Sequence, residues 1–179
     1  MRRFHIDFKK NYHLLLLLSL TAITLFGFLG GRELWTQEGR WGTICWNMLI
    51  RHDYLHPYCY GAPYYDKPLL TYWLPLLITA ITGKFNEWTL RLPSAFAGIA
   101  AVFALYRIGL TTANKRVGLI AAALLSTTFY FVFWARVASA DMTNVAGILI
   151  ALAWYFHHRD NSRFFHYCVF FIIVALAAL

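Results

Sequence analysis

Long apolar segments separated by short polar ones constrain this chain more than any other feature. The first runs from Leu14 to about Gly30 and approaches the ~20 residues that a helix needs to cross the hydrocarbon core of a bilayer. Of the 179 residues, 60% are hydrophobic and 18% are aromatic. Such a composition excludes an ordinary soluble domain. We therefore predict an all-α, multi-spanning integral membrane protein.

Five transmembrane helices are predicted from the lengths and flanks of these segments. Their approximate ranges are 13–30, 89–109, 117–135, 141–157 and 164–179. The first is interpreted as a retained helix, because the apolar core of a secretory signal has only about 7–15 residues and ends at a cleavage site. The last segment is still apolar at Leu179. The sequence thus suggests part of a longer protein, or a truncated product.

The stretch from Pro68 to Thr82 decides the predicted topology. It is short for a span, and Tyr72, Trp73 and Trp88 favour the headgroup level. If it lies at the outer interface, nine of the 16 Lys and Arg residues fall on the inside with only two of the eight acids. This distribution agrees with the preference of short inner loops for cations. We predict a cytoplasmic N-terminus and an outward-facing loop of about residues 31–87.

An amphipathic interfacial helix is predicted within this outer loop. Thr36 is a suitable N-cap residue, and Trp41, Cys45, Met48 and Leu49 recur at helical spacing. Such a helix would lie on the membrane and not cross it.

Acids, cations and aromatic residues are concentrated in five short motifs. They read Glu38-Gly-Arg-Trp, Gly61-Ala-Pro-Tyr-Tyr-Asp-Lys-Pro, Leu70-Thr-Tyr-Trp, Arg91-Leu-Pro-Ser-Ala and Ala135-Arg-Val-Ala-Ser-Ala-Asp-Met. In order and spacing, the motifs resemble the N-terminal part of the polyprenyl-phosphate-dependent membrane glycosyltransferases, in the branch of aminoarabinose transferases and protein mannosyltransferase-like enzymes. Each motif alone is weakly specific, whereas five in series are strong.

This resemblance implies a GT-C-like N-terminal half, a cavity that opens to the periplasm or lumen, and a lipid-linked sugar as donor. It places two acids near the reacting centre, of which the later one matches Asp141, and we take Glu38, the acid that survives in the loop motif, as the second catalytic candidate. It assigns Arg40, Tyr64 and Lys67 to the donor phosphate, and we add Arg136 as a fourth candidate for binding that phosphate. Asp66 stands where the family has a Glu that can ligate a metal. A divalent metal is the one cofactor that follows from this.

One position departs from the family pattern. Gln37 stands where the family has its leading Asp, and a Gln side chain cannot act as a general base for an acceptor hydroxyl. Three alternatives remain: Glu38 or Glu33 takes the role, Asp141 alone suffices, or the chain has lost activity.

The residue types also suit this chemistry without reference to the family. Departure of a polyprenyl phosphate leaves negative charge, which Arg40 can stabilise as a fork of donors and Lys67 as a point charge. Asp141, at the outer end of a predicted span, can accept a proton from the acceptor oxygen. Tyr64 and Tyr65 offer hydroxyl donors on apolar rings.

Each of these side chains also has a simpler structural explanation. Asp141 suits a helix N-cap, and Arg136 can snorkel to the interface. Arg40 and Lys67 can act as general headgroup anchors. Asp66 can belong to a surface turn.

Metal and redox signals are weaker. His52 and His56 lie four residues apart, but we favour loop histidines over a metal pair. Cys45 and Cys59 both lie in the outer loop and could form a disulfide, whereas Cys168 lies in a predicted span. The net charge of +8 indicates inside-positive anchoring and anionic lipid, and no nucleic-acid partner.

The predicted function is transfer of a sugar from a polyprenyl-phosphate donor to a lipid or protein acceptor at the periplasmic face of a bacterial inner membrane. This stretch alone is expected to be inactive, and the residues that read the sugar are expected beyond residue 179. One alternative is a non-catalytic fragment or pseudo-enzyme that only binds the lipid-linked donor. Another is a transporter fragment, which is disfavoured because we expect no charges inside the spans.

Overall fold

The computed structural model describes residues 12–161 and 163–178. These residues form eight α-helices, a short 3-10 turn at Arg159–Asn161 and one two-stranded hairpin. The helices are α1 Tyr12–Phe26, α2 Gln37–Arg51, α3 Leu70–Thr82, α4 Glu87–Thr112, α5 Lys115–Thr127, α6 Phe129–Trp134, α7 Asp141–His158 and α8 Phe164–Ala178. The strands are β1 Tyr58–Cys59 and β2 Ala62–Pro63. The predicted helical class is confirmed, while the cations of the predicted cytoplasmic N-terminus, residues 1–10, lie outside the described residues.

The longest helix, α4, is the centre of the fold and packs against α7, α5, α1 and α3. A reciprocal capping box starts it, in which the Asn86 side chain accepts from the Thr89 N–H and the Thr89 hydroxyl oxygen accepts from the Asn86 N–H, both at 3.0 Å. Among the described helices, α4 alone is both long and apolar enough to cross a bilayer by itself, while α1, α3 and α8 are apolar but shorter. The predicted number of five spans is therefore not confirmed.

The predicted span 117–135 is not one continuous helix. It divides into α5 and α6 at Thr128, whose backbone is extended with φ −68° and ψ 120°. The physical reason is a run of hydroxyl residues. Ser126 donates to the carbonyl of Ala123 at 3.0 Å and Thr128 to that of Leu124 at 2.8 Å, and such bonds compete with helical pairing.

The outer segment, residues 31–87, forms a second hydrophobic core together with Leu90 of α4 and with Ala138 and Ala140 before α7, and this core is distinct from that of the long helices. The predicted amphipathic helix is confirmed as α2, because Trp41, Cys45 and Met48 are buried against α3 and the hairpin. The Trp41 ring lies 5.6 Å from that of Tyr72 on α3. Thr36 occupies the N-cap position of α2 but makes no side-chain capping bond. The stretch 68–82 is helical from Leu70 and ends at Gly83, which has a φ of +66°.

Candidate functional site

A buried ion pair joins the outer segment to α4. Arg91 on α4 and Glu38 in the first turn of α2 are 1% and 0% exposed. The Arg91 Nε donates to Glu38 Oε1 at 2.7 Å, and its Nη2 donates to Oε2 at 2.9 Å. The other N–H groups of the guanidinium donate to the carbonyls of Leu29, Arg32 and Glu33 at 2.8, 2.8 and 2.9 Å. All five donors of Arg91 therefore have acceptors.

Glu38 receives three further hydrogen bonds. Its Oε2 accepts from Arg32 Nη2 at 3.0 Å and from the Trp35 N–H at 3.1 Å. Its Oε1 accepts from the N–H of Ala138 at 3.0 Å. Ala138 lies three residues before Asp141, so Glu38 connects the start of α2 to the segment that leads into α7.

The environment of Glu38 keeps it ionised. Burial alone would raise its pKa, but hydrogen bonds from Arg91, Ala138 and Trp35 outweigh burial and hold the pKa of Glu38 below its ordinary value. Its two carboxylate oxygens accept five hydrogen bonds in total, which uses their acceptor capacity. A general base needs an accessible lone pair, whereas this placement describes a residue that positions others.

Two of the predicted phosphate contacts meet in one cavity of about 490 Å³. Its lining residues are Thr36, Gln37, Arg40, Cys59, Tyr60 and Tyr64. Arg40 Nη1 donates to the Tyr64 hydroxyl at 2.9 Å, although 24 residues separate them. Among the described residues Arg40 forms no ion pair. Its charge is thus available for an anion.

Gln37 lines this same cavity beside Arg40, while the neighbouring Glu38 is buried against Arg91. The position where the resemblance predicts an acid therefore faces the open space. Glu33, the other acid considered, is exposed and joins the buried pair only through its backbone carbonyl.

Arg136 lies in a different cavity, of about 330 Å³. Its lining residues are Phe28, Leu29, Arg32, Arg91, Phe133, Arg136 and Val137. The guanidinium of Arg136 donates to the carbonyls of Thr24, Leu25 and Gly27, at and just beyond the C-terminal end of α1. Cations are favourable at that end of a helix. The structure therefore separates Arg136 from Arg40 and Tyr64.

Asp141 is the first residue of α7, and the N-cap position belongs to Ala140. Asp141 is therefore not the N-cap residue of α7, contrary to the simpler explanation. Its side chain is exposed, and its backbone N–H donates to the Ser139 hydroxyl at 3.3 Å. Within the described ranges its carboxylate forms no ion pair.

Asp66 and Lys67 are both exposed, in the turn between Tyr64 and α3. In residues 12–161 and 163–178, no three His, Cys, Asp or Glu side chains come together as a metal site. The imidazole Nδ1 of His56 lies 3.0 Å from Asp53 Oδ2, in keeping with a loop histidine.

The described cysteines are not joined. Cys45, Cys59 and Cys168 all have free thiols, so the disulfide considered between the first two is not formed. Burial raises the pKa of the Cys45 thiol to about 12 and keeps it protonated.

Arg91 is the important residue to which sequence reasoning gave no role. The available signal was a charge within an apolar segment, which requires a buried partner. Arg91 and Arg107 both lie inside α4, so the expectation that the predicted spans carry no charge was wrong.

Comparisons with known proteins agree on one family. Residues 66–179 match the family described as dolichyl-phosphate-mannose-protein mannosyltransferase. An undecaprenyl phosphate-α-4-amino-4-deoxy-L-arabinose arabinosyl transferase of Photorhabdus laumondii is 31% identical over 113 residues, covering 63% of this chain and 20% of that protein. An uncharacterised protein of Aquifex aeolicus is 29% identical over 170 residues, covering 92% of this chain and 33% of that protein.

The fold has a solved counterpart. The crystal structure of ArnT from Cupriavidus metallidurans bound to undecaprenyl phosphate superimposes with a TM-score of 0.80 at 18% identity, over 93% of this chain and 31% of that one. Its apo structure gives a TM-score of 0.76 at 19% identity. The chain spans about a fifth to a third of the length of the relatives that it matches. The family match covers well over half of the chain, and the chain belongs to the dolichyl-phosphate-mannose-protein mannosyltransferase family.

Proposed function

We propose that this chain is the N-terminal part of a membrane glycosyltransferase that moves a sugar from a polyprenyl-phosphate donor to a lipid or protein acceptor at the periplasmic face. The observation that carries this proposal is the cavity in which Arg40 and Tyr64 converge. The shared fold with ArnT and the family membership support it. These comparisons do not favour a transporter or an inactive fragment.

Arg40 and Tyr64 would hold the donor phosphate. A phosphate oxygen in this cavity can accept from the Arg40 donors that Tyr64 does not use, while the tyrosine fixes the orientation of the guanidinium. Lys67, three residues beyond Tyr64 and exposed, supplies a second cation close in the chain. Arg136 would meet lipid phosphate at the second cavity and not at the donor.

Asp141 would act as the general base. The acceptor oxygen forms a bond to the anomeric carbon, the bond from that carbon to the phosphate oxygen breaks, and Asp141 takes the acceptor proton. The leaving phosphate keeps the electron pair, and Arg40 and Lys67 stabilise its charge. Glu38 positions α2 and the segment before Asp141. A divalent metal at Asp66 stays a separate hypothesis.

The membrane setting follows the predicted topology. The outer segment, residues 31–87, and Asp141 would share the periplasmic side, and the N-terminus would be cytoplasmic. This arrangement is consistent with the hydrogen bond between Glu38 in the outer segment and Ala138 beside Asp141.

The test uses the protein that contains this chain, in native membranes, with a radiolabelled sugar on undecaprenyl phosphate. We expect Asp141→Asn to lower turnover by about 10²-fold or more, while binding of undecaprenyl phosphate persists. Arg40→Gln should instead weaken that binding. Asp160→Asn, at another exposed acid, is the matched control and should leave turnover unchanged. Full turnover in Asp141→Asn would reject its role as base, and donor binding without transfer in the wild type would reject the enzyme.

A further inference from the structure

The tip of the hairpin holds an aromatic residue in an unfavourable backbone conformation. Tyr58 pairs with Pro63 and Cys59 with Ala62, which leaves Tyr60 and Gly61 as the two-residue turn. Their φ angles are +51° and +85°. Turns that need positive φ at both central residues favour Asn, Asp or Gly at the first, and a bulky side chain there is strained.

The fold supplies no compensating contact for this strain. Tyr60 is 83% exposed, and no described residue forms a hydrogen bond with its hydroxyl or stacks on its ring. Residues held in such conformations concentrate at ligand sites, where the side chain serves a purpose other than stability. The presence of Tyr60 therefore requires an explanation outside the packing of this chain.

The backbone that carries Tyr60 is well fixed. The Tyr64 N–H donates to the Pro57 carbonyl at 2.8 Å and closes the base of the hairpin. On the α2 side, Asn47 Nδ2 donates to the Tyr58 carbonyl at 3.0 Å. The Arg51 guanidinium also lies 4.3 Å from the centre of the Tyr58 ring. The residues on both sides of the Tyr60 turn are thus held by contacts within the hairpin and with α2.

Tyr60 lines the same cavity as Arg40, Tyr64 and Gln37. That cavity, of about 490 Å³, lies within the roughly 300–1,000 Å³ range of small-ligand sites. If Arg40 holds the donor phosphate, the sugar is one bond away from that phosphate. Tyr60, as a lining residue of the cavity, then lies within reach of the sugar.

We propose that Tyr60 is the surface on which the sugar ring of the lipid-linked donor stacks, an inference that rests on the proposed function. The C–H groups on one face of a pyranose are weakly positive and apolar, and they suit the electron-rich face of a tyrosine ring. Arg40 and Tyr64 then bind the phosphate common to all such donors, whereas Tyr60 contacts the part that differs between them. Sugar recognition would begin within this chain and not only beyond residue 179.

The experiment separates sugar binding from phosphate binding. The protein that contains this chain is purified in detergent, and its affinity is measured for undecaprenyl phosphate and for a panel of pentosyl and hexosyl undecaprenyl phosphates. We expect at least one glycosylated lipid to bind the wild type more tightly than the bare lipid. Tyr60→Asn should lower the affinity for that glycosylated lipid by about fivefold to tenfold. Its affinity for bare undecaprenyl phosphate should stay within about twofold of the wild-type value. Tyr60→Phe, which keeps the ring, should retain the preference.

Two controls make the result specific. Asn tolerates positive φ, so Tyr60→Asn should melt at the same temperature as the wild type or higher, which excludes misfolding as the cause. Arg40→Gln should lower the affinity for the glycosylated lipid and for bare undecaprenyl phosphate to a similar extent. The proposal is overturned if Tyr60→Asn affects both lipids equally or neither, as an interfacial anchor would, or if no sugar raises the affinity of the wild type. Failure of the wild type to bind even bare undecaprenyl phosphate would overturn the proposed function itself.

Discussion

Arg91 uses every donor that it has, and its acceptors come from the α1–α2 connection and from Glu38. Both carboxylate oxygens of Glu38 accept hydrogen bonds, and the donors come from the α1–α2 connection, from α4 and from the segment before α7. Removing either partner of such a buried pair leaves the other charged and unsatisfied, which is strongly destabilising. At the scale of single residues, this pair determines how the outer segment attaches to α4.

The pair predicts a pH-dependent stability. Because the folded pKa of Glu38 is lowered, the stabilisation is present above the ordinary carboxyl value of about 4.3 and is lost as the pH falls towards the folded pKa. We expect Glu38→Gln to cost roughly 2–4 kcal/mol at neutral pH and to reduce the loss of stability on acidification. Thermal unfolding in detergent from pH 7 down to about pH 2, which covers the range below the ordinary carboxyl value, measures both effects.

Glu33→Gln is the matched control, since the Glu33 side chain is exposed and contributes only its carbonyl to the pair. It should behave as the wild type at each pH. An unchanged melting temperature in Glu38→Gln would show that the pair does not support the fold.

The roles of these residues were only partly predictable. The motifs predicted Arg40 and Tyr64 as contacts of one phosphate, and in the structure the two side chains share a hydrogen bond. The sequence could not reveal that Glu38 faces Arg91 while Gln37 faces the cavity, because adjacent residues on a helix differ by about 100° and only the packing decides which one turns inward.

At the scale of elements, α4 and α5 form a close antiparallel pair. A Cβ atom added at Gly118 would lie 2.6 Å from the Tyr106 carbonyl oxygen and 3.0 Å from the Leu110 nitrogen. Both are backbone atoms, so neither can move aside by a rotamer change. The absence of a side chain at Gly118 therefore sets the distance between the two helices.

Gly118→Ala should push α5 away from α4 and destabilise the protein by roughly 1–3 kcal/mol. Gly39→Ala on α2 is the control, because a Cβ atom there would meet nothing within 4 Å and alanine is the better helix former, by up to about 1 kcal/mol. The two alanine substitutions should shift the melting temperature in opposite directions. A neutral Gly118→Ala would mean that the helices separate without cost.

Hydrophobic periodicity predicted the elements well where one face is buried, as in α2. It did not predict the division between α5 and α6. The hydroxyl side chains near Thr128 interrupt the helix through local hydrogen bonds, and these have little effect on the hydropathy averaged over the segment. The hairpin was also missed, since two strands of two residues each give no alternating pattern.

At the scale of the whole molecule, two cavities have no lining residue in common, one lined by Arg40 and the other by Arg136 together with Arg91. The predicted topology places both on the outer side, with the α4–α5 turn on the inner side. The match to ArnT supports the arrangement of helices, whereas their orientation depends on the charge distribution alone.

Cysteine labelling tests this orientation. In a Cys168→Ser background, Lys84→Cys before α4 should react with an impermeant thiol reagent from the outside, and Ala113→Cys after α4 should not. Both positions are exposed, and Cys45 and Cys59 are buried. The reverse labelling pattern would make the stretch 68–82 a true span.

The bond between Glu38 and Ala138 has a consequence for synthesis. The two residues are 100 positions apart, and Arg91 enters the nascent chain between them. During co-translational insertion, Glu38 has the Arg32 side chain beside it from the start, but it must wait for the buried Arg91 until α4 has emerged, and for its last donor until the segment before α7 follows. The outer segment therefore acquires its final form late, and a chain arrested before residue 138 would carry an immature segment open to quality-control proteases.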